Sequence, residues 1–249
     1  FLINPTYYGV TSNLKDIIKV AHKNGMAVVV DEAHGAHLGF HKELPCGAME
    51  LGADMAAVSL HKTGGSLTQS SVLLLNEGFV DKNHVRAMLN LTQTTSASYL
   101  LMTSLDIARK ILATRGEEIF TRILKLTRMA REEINKIEGL YAFGKELIGN
   151  EGVFDFDETK LGINVYGLGM TGFKAYDILR DEYNIQVELG DVFNVLAIVS
   201  VGDDEESIRA LIEALKSMSK KYRGCKMEFA NVNLENPVVI VSPRDNSFG

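Results

Sequence analysis

The sequence predicts an α/β protein with a mainly parallel sheet in its first part and a small α/β domain after it. Two short apolar runs indicate buried strands: residues 28–30 lead into Asp31, and a second run starts at Ala57 and ends at Lys62. A helical pattern separates the first of them from a strand at residues 1–3. With 249 residues and 46% hydrophobic content, the chain can bury a sizeable core.

The first helix has clear start and stop signals. Asn13 can cap it, Asp16 places a carboxylate in its positive first turn, and Gly25 ends it. Its apolar stripe is expected to consist of Leu14, Ile17, Ile18 and Ala21. Strand, helix and strand form a βαβ unit, for which a right-handed crossover is expected. A further strand is predicted at residues 72–75 and a helix from Asp81.

Helices fill the middle of the chain. After a polar break at residues 92–96, the pattern predicts one helix over 99–112 and a longer one after Gly116. We place a domain boundary at 138/139: residues 1–138 form part of the large domain, and 139–249 the small one. In the small domain, the predicted strands are 163–166, 185–189 and 195–201, and the predicted helices are 173–183 and 205–222. A last strand is predicted at 238–241.

Composition excludes several function classes. The net charge is −6, without long single-sign runs, so we expect neither a nucleic-acid partner nor a membrane partner. Cys46 and Cys225 are isolated, which favours free thiols in the cytoplasm. Because the chain starts at Phe1, in the middle of a strand pattern, we expect it to be a fragment.

Two strand ends supply the chemistry. Open α/β sheets bind ligands at the carboxyl ends of their parallel strands, so Asp31 and Lys62 should face one crevice. A carboxylate that keeps a pyridine nitrogen protonated and an amine that forms a Schiff base are what a pyridoxal phosphate site requires. Ala33 is small enough to lie under a flat ring, and His34 can hydrogen-bond a ring oxygen or the substrate.

The residues around the lysine fit the same site. Ser59 and His61 can donate to a phosphate, and glycines 64 and 65 leave room for movement. Taken singly, a strand-end Asp is also typical of a helix cap or ion pair, and a lone Lys of a solvated surface. On the residues alone, these alternatives stay open.

Three other patterns suggest rival functions. Gly167 to Gly172 fits the dinucleotide motif GxGxxG, but the next two predicted strands are too close for a parallel crossover, which favours a plain turn. Residues 31–34 spell the acidic box of a helicase-type ATPase, but residues 139–146 do not match a phosphate loop. The spacings of His34, His37 and His41 match no metal motif, and no metal is expected.

Longer motifs resemble a known family. They are Asn4-Pro-Thr-Tyr-Tyr-Gly9, Asp31-Glu-Ala-His-Gly-Ala-His37, Ser59-Leu-His-Lys62, Leu67-Thr-Gln-Ser70 and Thr95-Ser-Ala-Ser-Tyr-Leu-Leu-Met-Thr-Ser-Leu-Asp106. Together they are similar to the Orn/Lys/Arg decarboxylases, pyridoxal phosphate enzymes of fold type I. The resemblance implies that Lys62 carries the cofactor, Asp31 pairs with its ring nitrogen, and Ser59 and His61 contact it.

The same resemblance implies a homodimer or higher oligomer. A neighbouring subunit would bring Thr94, Thr95 or Ser96 to the phosphate. The expected reaction releases CO2 from arginine, lysine or ornithine and gives a polyamine precursor. Another pyridoxal phosphate reaction, such as transamination, an NAD(P) site at residues 167–172, and a role in assembly alone remain alternatives. The family's upstream phosphate cradle and ring-stacking residue do not occur in this sequence.

Overall fold

The computed structural model describes residues 1–222 and residue 241. The first part of the chain contains β1 (Leu2–Ile3), β2 (Val10–Thr11), α1 (Leu14–Lys23), β3 (Val29–Asp31), β4 (Met55–Val58), α2 (Leu60–Thr63) and β5 (Val72–Leu75). It continues with α3 (Lys82–Thr92), α4 (Tyr99–Ile134), β6 (Tyr141–Ala142), β7 (Asp155–Phe156), β8 (Lys160–Asn164), α5 (Gly172–Tyr183), β9 (Leu189–Gly190), β10 (Asn194–Ile198) and α6 (Glu205–Tyr222).

Both main sheets have four strands, and we name each after the domain that is predicted to contain it. The larger sheet, in the predicted large domain, has the spatial order β1-β3-β4-β5. β1, β3 and β4 are parallel, and β5 runs antiparallel to β4. Helix α1 connects β2 to β3 and buries Leu14 and Ile18, whereas Ile17 is exposed, contrary to its place in the predicted stripe. The Asn13 side chain accepts a bond from the Asp16 amide, as the capping signal predicts. The mainly parallel sheet is confirmed.

The strand that leads to the lysine is shorter than predicted. β4 ends at Val58, where its pairing with Val72 of β5 also ends. The chain then turns into α2, in which the Lys62 amide bonds to the Ser59 carbonyl at 3.1 Å. The prediction that Lys62 ends a strand is therefore wrong, because local helical bonds replace the sheet ladder after Val58.

The helix α4 is continuous through Gly116, where the sequence predicted a break. Gly116 is buried against Phe40, and a Cβ there would lie 2.9 Å from the Phe40 Cβ. Glycine at this position allows close packing and does not end the helix. As a result, α4 joins both cores: Ala108 packs under the larger sheet, and residues from Leu112 onward pack with the smaller one.

The smaller sheet has the order β6-β8-β10-β9, and its pairs are antiparallel. The predicted strand 185–189 shrinks to β9, because the Ile185 amide bonds instead to Leu179 at the end of α5. A tight hairpin joins β9 to β10, which excludes the parallel crossover of a dinucleotide fold at this point. Gly167 and Gly169 lie in the turn before α5, and Gly172 is the first residue of that helix. Helix α6 covers the predicted residues 205–222.

The two sheets are joined by more than α4. Strand β2 pairs with β7 in an antiparallel ribbon, in which Val10 lies opposite Phe156.

None of the helices in the described residues combines the length and the hydrophobicity that a membrane span requires. The predicted strand at 238–241 lies outside the described residues except for Val241.

Candidate active site

Asp31 is the last residue of β3 and lies at the carboxyl edge of the larger sheet. Its main-chain carbonyl accepts a bond of 3.0 Å from the Asn4 amide, and its side-chain Oδ1 accepts one of 3.0 Å from the Ala33 amide. These bonds fix the carboxylate beside Ala33. Both residues are half-buried, so a ligand at this edge can reach them.

Lys62 and His34 meet at the same edge. The Lys62 Nζ lies 3.5 Å from His34 Nε2 and 5.9 Å from the centre of the Tyr7 ring. The Tyr7 and His34 ring centres are 3.9 Å apart. Lys62 is exposed and, in the part of the chain that the structure describes, forms no ion pair with a carboxylate. Its amine is therefore reachable and is not held by an acid.

His34 is almost completely buried, with 4% of its surface exposed. Burial, followed by the positive charges of Lys160 and Lys62, lowers the pKa of His34 to about 4, although Asp31 and Asp157 act in the opposite direction. The imidazole is therefore neutral near pH 7. Because an ammonium can only donate, Nε2 accepts from Lys62 and Nδ1 carries the proton. Within residues 1–222, that Nδ1 is buried without a hydrogen-bond partner.

Ser59 and His61 precede the lysine in sequence, Ser59 as the N-cap of α2 and His61 within its first turn. The Ser59 hydroxyl makes no capping bond to the helix. His61 Nδ1 lies 2.9 Å from the Ser70 carbonyl oxygen, so Nδ1 is a donor to that oxygen. His61 can consequently donate to a phosphate through Nε2 only when its ring is protonated.

Thr95 and Ser96 lie on the exposed connection between α3 and α4. The Ser96 amide donates to the Thr94 Oγ1 at 3.2 Å. Among the described residues, no hydrogen bond or ion pair joins this segment to Asp31, His34 or Lys62. A contact with the phosphate through a second subunit stays a prediction.

Sequence reasoning missed a buried group behind His34. Lys160, the first residue of β8, donates from Nζ to the His34 carbonyl oxygen at 3.2 Å, and Asp157 lies beside it. His37 contacts Asp157, and His41 Nε2 lies 3.0 Å from Thr121 Oγ1, so these histidines have separate partners. The spacing of Asp157 and Lys160 could have suggested an ion pair between them, but no local pattern indicates that Lys160 contacts residue 34.

Comparisons with known proteins identify the family and the fold of this chain. A sequence model of the family "Orn/Lys/Arg decarboxylase, major domain" matches residues 1–164. An arginine decarboxylase of Halalkalibacterium halodurans is 47% identical over 247 residues, which are 98% of this chain and 50% of that protein. One of Bacillus subtilis is 45% identical with the same coverage. The chain thus spans about half the length of the curated relatives it matches.

Solved structures share the fold at lower identity. Lysine decarboxylase A from Pseudomonas aeruginosa matches with a TM-score of 0.74 and 17% identity, covering 89% of this chain and 37% of that one. A NifS-like protein from Rickettsia africae matches with a TM-score of 0.65 and 18% identity, covering 88% and 62%. The fold is that of the fold type I enzymes, as the resemblance implied. By its sequence, the chain belongs to the Orn/Lys/Arg decarboxylase family.

Proposed function

We propose that this chain supplies the lysine side of the active site of a pyridoxal phosphate-dependent decarboxylase of basic amino acids. The observation that carries the proposal is the reachable Lys62 amine, which lies 3.5 Å from a neutral His34 at the sheet edge that also holds Asp31. Arginine is the first substrate to test, because relatives at 45–47% identity are named arginine decarboxylases. The products would be CO2 and a polyamine precursor.

The residues present fit the cofactor. Pyridoxal phosphate, when bound, supplies an electron sink for the bond that breaks at the substrate's α carbon. Lys62 offers a primary amine that is not paired with a carboxylate of the described residues, and Ala33 offers a small side chain next to the Asp31 carboxylate. In this proposal Lys62 holds the cofactor covalently, Asp31 faces its ring nitrogen, and Ser59 and His61 face its phosphate.

His34 orients the Lys62 amine in this site. A neutral Nε2 next to Lys62 accepts a hydrogen bond from the lysine side chain and so orients the amine in the site. Tyr7 covers the imidazole and limits the access of water. We assign His34 this orienting role alongside Lys62 and Asp31.

We also propose the wider organisation. Residues 1–138 belong to the large domain and 139–249 to the small one, with the β2–β7 ribbon and α4 as the connections between them. The protein works as a homodimer or higher oligomer in the cytoplasm. The exposed Thr95 and Ser96 support this assembly, because they are available to a neighbouring active site.

A product assay tests the function. The protein expressed in full from its gene, with pyridoxal phosphate, is given carboxyl-labelled arginine, lysine or ornithine in turn. Release of labelled CO2 with one of them, lost in Lys62→Ala, supports the proposal. Formation of a keto acid without CO2 would identify a transaminase instead. No reaction with any of the three would reject basic amino acids as substrates.

A further inference from the structure

Two lysines reach His34 from different parts of the fold. Lys62 approaches the imidazole from α2, and Lys160 approaches the main-chain carbonyl from β8 in the smaller sheet. Lys160 is completely buried, with 0% of its surface exposed. A lysine is rarely buried to this extent unless it is paired.

The partners of Lys160 form a buried cluster, which we define as His37, Asp157, Thr159 and Lys160. Asp157 Oδ2 lies 3.3 Å from Lys160 Nζ and 2.9 Å from His37 Nε2. Thr159 Oγ1 donates to Asp157 Oδ1 at 2.7 Å. Burial by itself raises the pKa of Asp157, but His37, Lys160 and Thr159 together outweigh burial and hold that pKa well below its usual range. Asp157 is therefore an anion that keeps the ammonium in place.

The backbone around His34 is fixed at other points by bonds that do not involve Lys160. The Glu32 amide bonds to Ala57 at 2.9 Å, and the Gly35 amide bonds to Glu32 at 2.9 Å. A Cβ at Gly35 would lie 2.6 Å from the Glu32 Cγ, so this turn is tightly packed. Loss of Lys160 would thus free the His34 carbonyl while the rest of the turn keeps its bonds.

We propose that Lys160 is a positioning residue for the reaction at Lys62. By holding the His34 carbonyl, it fixes the imidazole next to the Lys62 amine and connects the smaller sheet to the active site. The inference rests on the proposed roles of Lys62 and His34. It assigns Lys160 no contact with substrate or cofactor.

A double-mutant cycle tests the proposal in the complete, cofactor-loaded protein. We expect Lys160→Met to lower kcat by roughly ten- to a hundredfold, with KM within about threefold, because a small displacement of a catalytic group is costly. In a His34→Asn background, the same substitution should change kcat by no more than about twofold, because the group that it positions is gone. Lys145→Met is the matched control, since Lys145 pairs with the neighbouring Glu158 at 3.0 Å and does not contact His34.

A second readout needs no cofactor. Lys62, Lys160, Asp31 and Asp157 are the charged groups that face His34. Imidazole NMR of the cofactor-free protein should show a higher His34 pKa in Lys160→Met and an unchanged one in Lys145→Met. If Lys160→Met does not fold, the double variant Asp157→Asn/Lys160→Met removes both charges and enters the same cycle.

The outcomes separate the two proposals. The positioning role would be overturned if Lys160→Met lowered kcat equally in the wild-type and His34→Asn backgrounds, or in neither. An unchanged His34 pKa in Lys160→Met would also overturn it. Each of these results would leave the decarboxylase proposal intact. Normal kcat in His34→Asn alone would overturn the role of His34, and the positioning role with it. The positioning role would be supported if Lys160→Met lowered kcat only in the wild-type background and also raised the His34 pKa.

Discussion

Lys62 and Lys160 contact the same histidine in opposite environments. Lys62 lies in a four-residue helix, is exposed, and forms no ion pair with an acid in the described part of the chain. Lys160 starts a strand, is completely buried, and lies 3.3 Å from the Asp157 carboxylate. The residue type is the same, but one amine is available to a ligand and the other is bound within the protein.

The contrast shows what a reactive lysine requires. A nucleophilic amine has to be reachable and has to lose its proton, which a nearby carboxylate would oppose by stabilising the ammonium. A structural lysine requires the reverse, because an ammonium out of water is stable only with an anion and acceptors around it. His34 lies between the two, with its imidazole toward Lys62 and its carbonyl toward Lys160.

The largest expected effect concerns which lysine reacts. Lys62→Ala should lower kcat by at least about a thousandfold, because the residue that we propose to form the covalent bond is lost. Borohydride reduction of the loaded protein followed by peptide mapping should label Lys62 and leave Lys160 unlabelled. A label on Lys160, or on any lysine other than Lys62, would contradict the comparison.

Asp31→Asn should have the next largest effect. An amide cannot stabilise a protonated ring nitrogen by charge, so we expect kcat to fall on the order of a hundredfold or more while the cofactor stays bound. Absorbance of the bound cofactor and CO2 release measure the two properties separately. Asp181→Asn is the control, since Asp181 is exposed on α5 and pairs with Arg180. Similar rates of CO2 release by Asp31→Asn and Asp181→Asn would show that Asp31 is not an active-site residue.

The effects of the two lysines on stability should be the reverse of their effects on kcat, with Lys160 the more important for stability. Lys160→Met leaves Asp157 buried without its ammonium, which is expected to lower the free energy of unfolding by about 3–5 kcal/mol. Lys62→Met breaks no ion pair in the described structure and should leave the unfolding midpoint unchanged. Urea unfolding of both variants measures the difference. Equal destabilisation would show that Lys62 is also a structural residue.

The same contrast explains how much the sequence predicted. Asp31 and Lys62 follow apolar runs that periodicity identifies, and the rule for the edges of open sheets brings them together. The cap at Asn13 and the hairpin after β9 follow from local signals too. The approximate position of Lys62 was therefore predictable, although its helix was not.

These local sequence signals did not predict contacts between residues that are distant in the chain. Lys160 is 126 residues from its partner His34, and no spacing in a single sequence reports such a bond. Gly116 suggested a helix break for the same reason, because its contact with Phe40 is not local. Local patterns identify groups that face a ligand, while the buried groups that hold them depend on tertiary contacts.

The smallest expected effect is the pH dependence of stability that His34 contributes. Burial and the two lysine charges lower its pKa to about 4 in the folded protein, against about 6.5 in an unfolded chain. Above pH 6.5 both states are neutral and the full contribution is present. As the pH falls from 6.5 to 4, the unfolded chain binds a proton that the folded protein does not, so stability is lost.

The measurement is the difference in unfolding free energy between wild type and His34→Asn from pH 4 to 7.5. We expect the wild type to lose about 2 to 3 kcal/mol more than the variant as the pH falls through this range. Glu32 titrates in the same window with the opposite sign, because burial raises its pKa to about 7, even though the Ala48 amide acts to lower it. Its contribution is lost as the pH rises from about 4.5 to 7, and it cancels in the difference because both proteins contain Glu32. A pH-independent difference would mean that neither burial nor the two lysine charges lower the pKa of His34 in the folded protein.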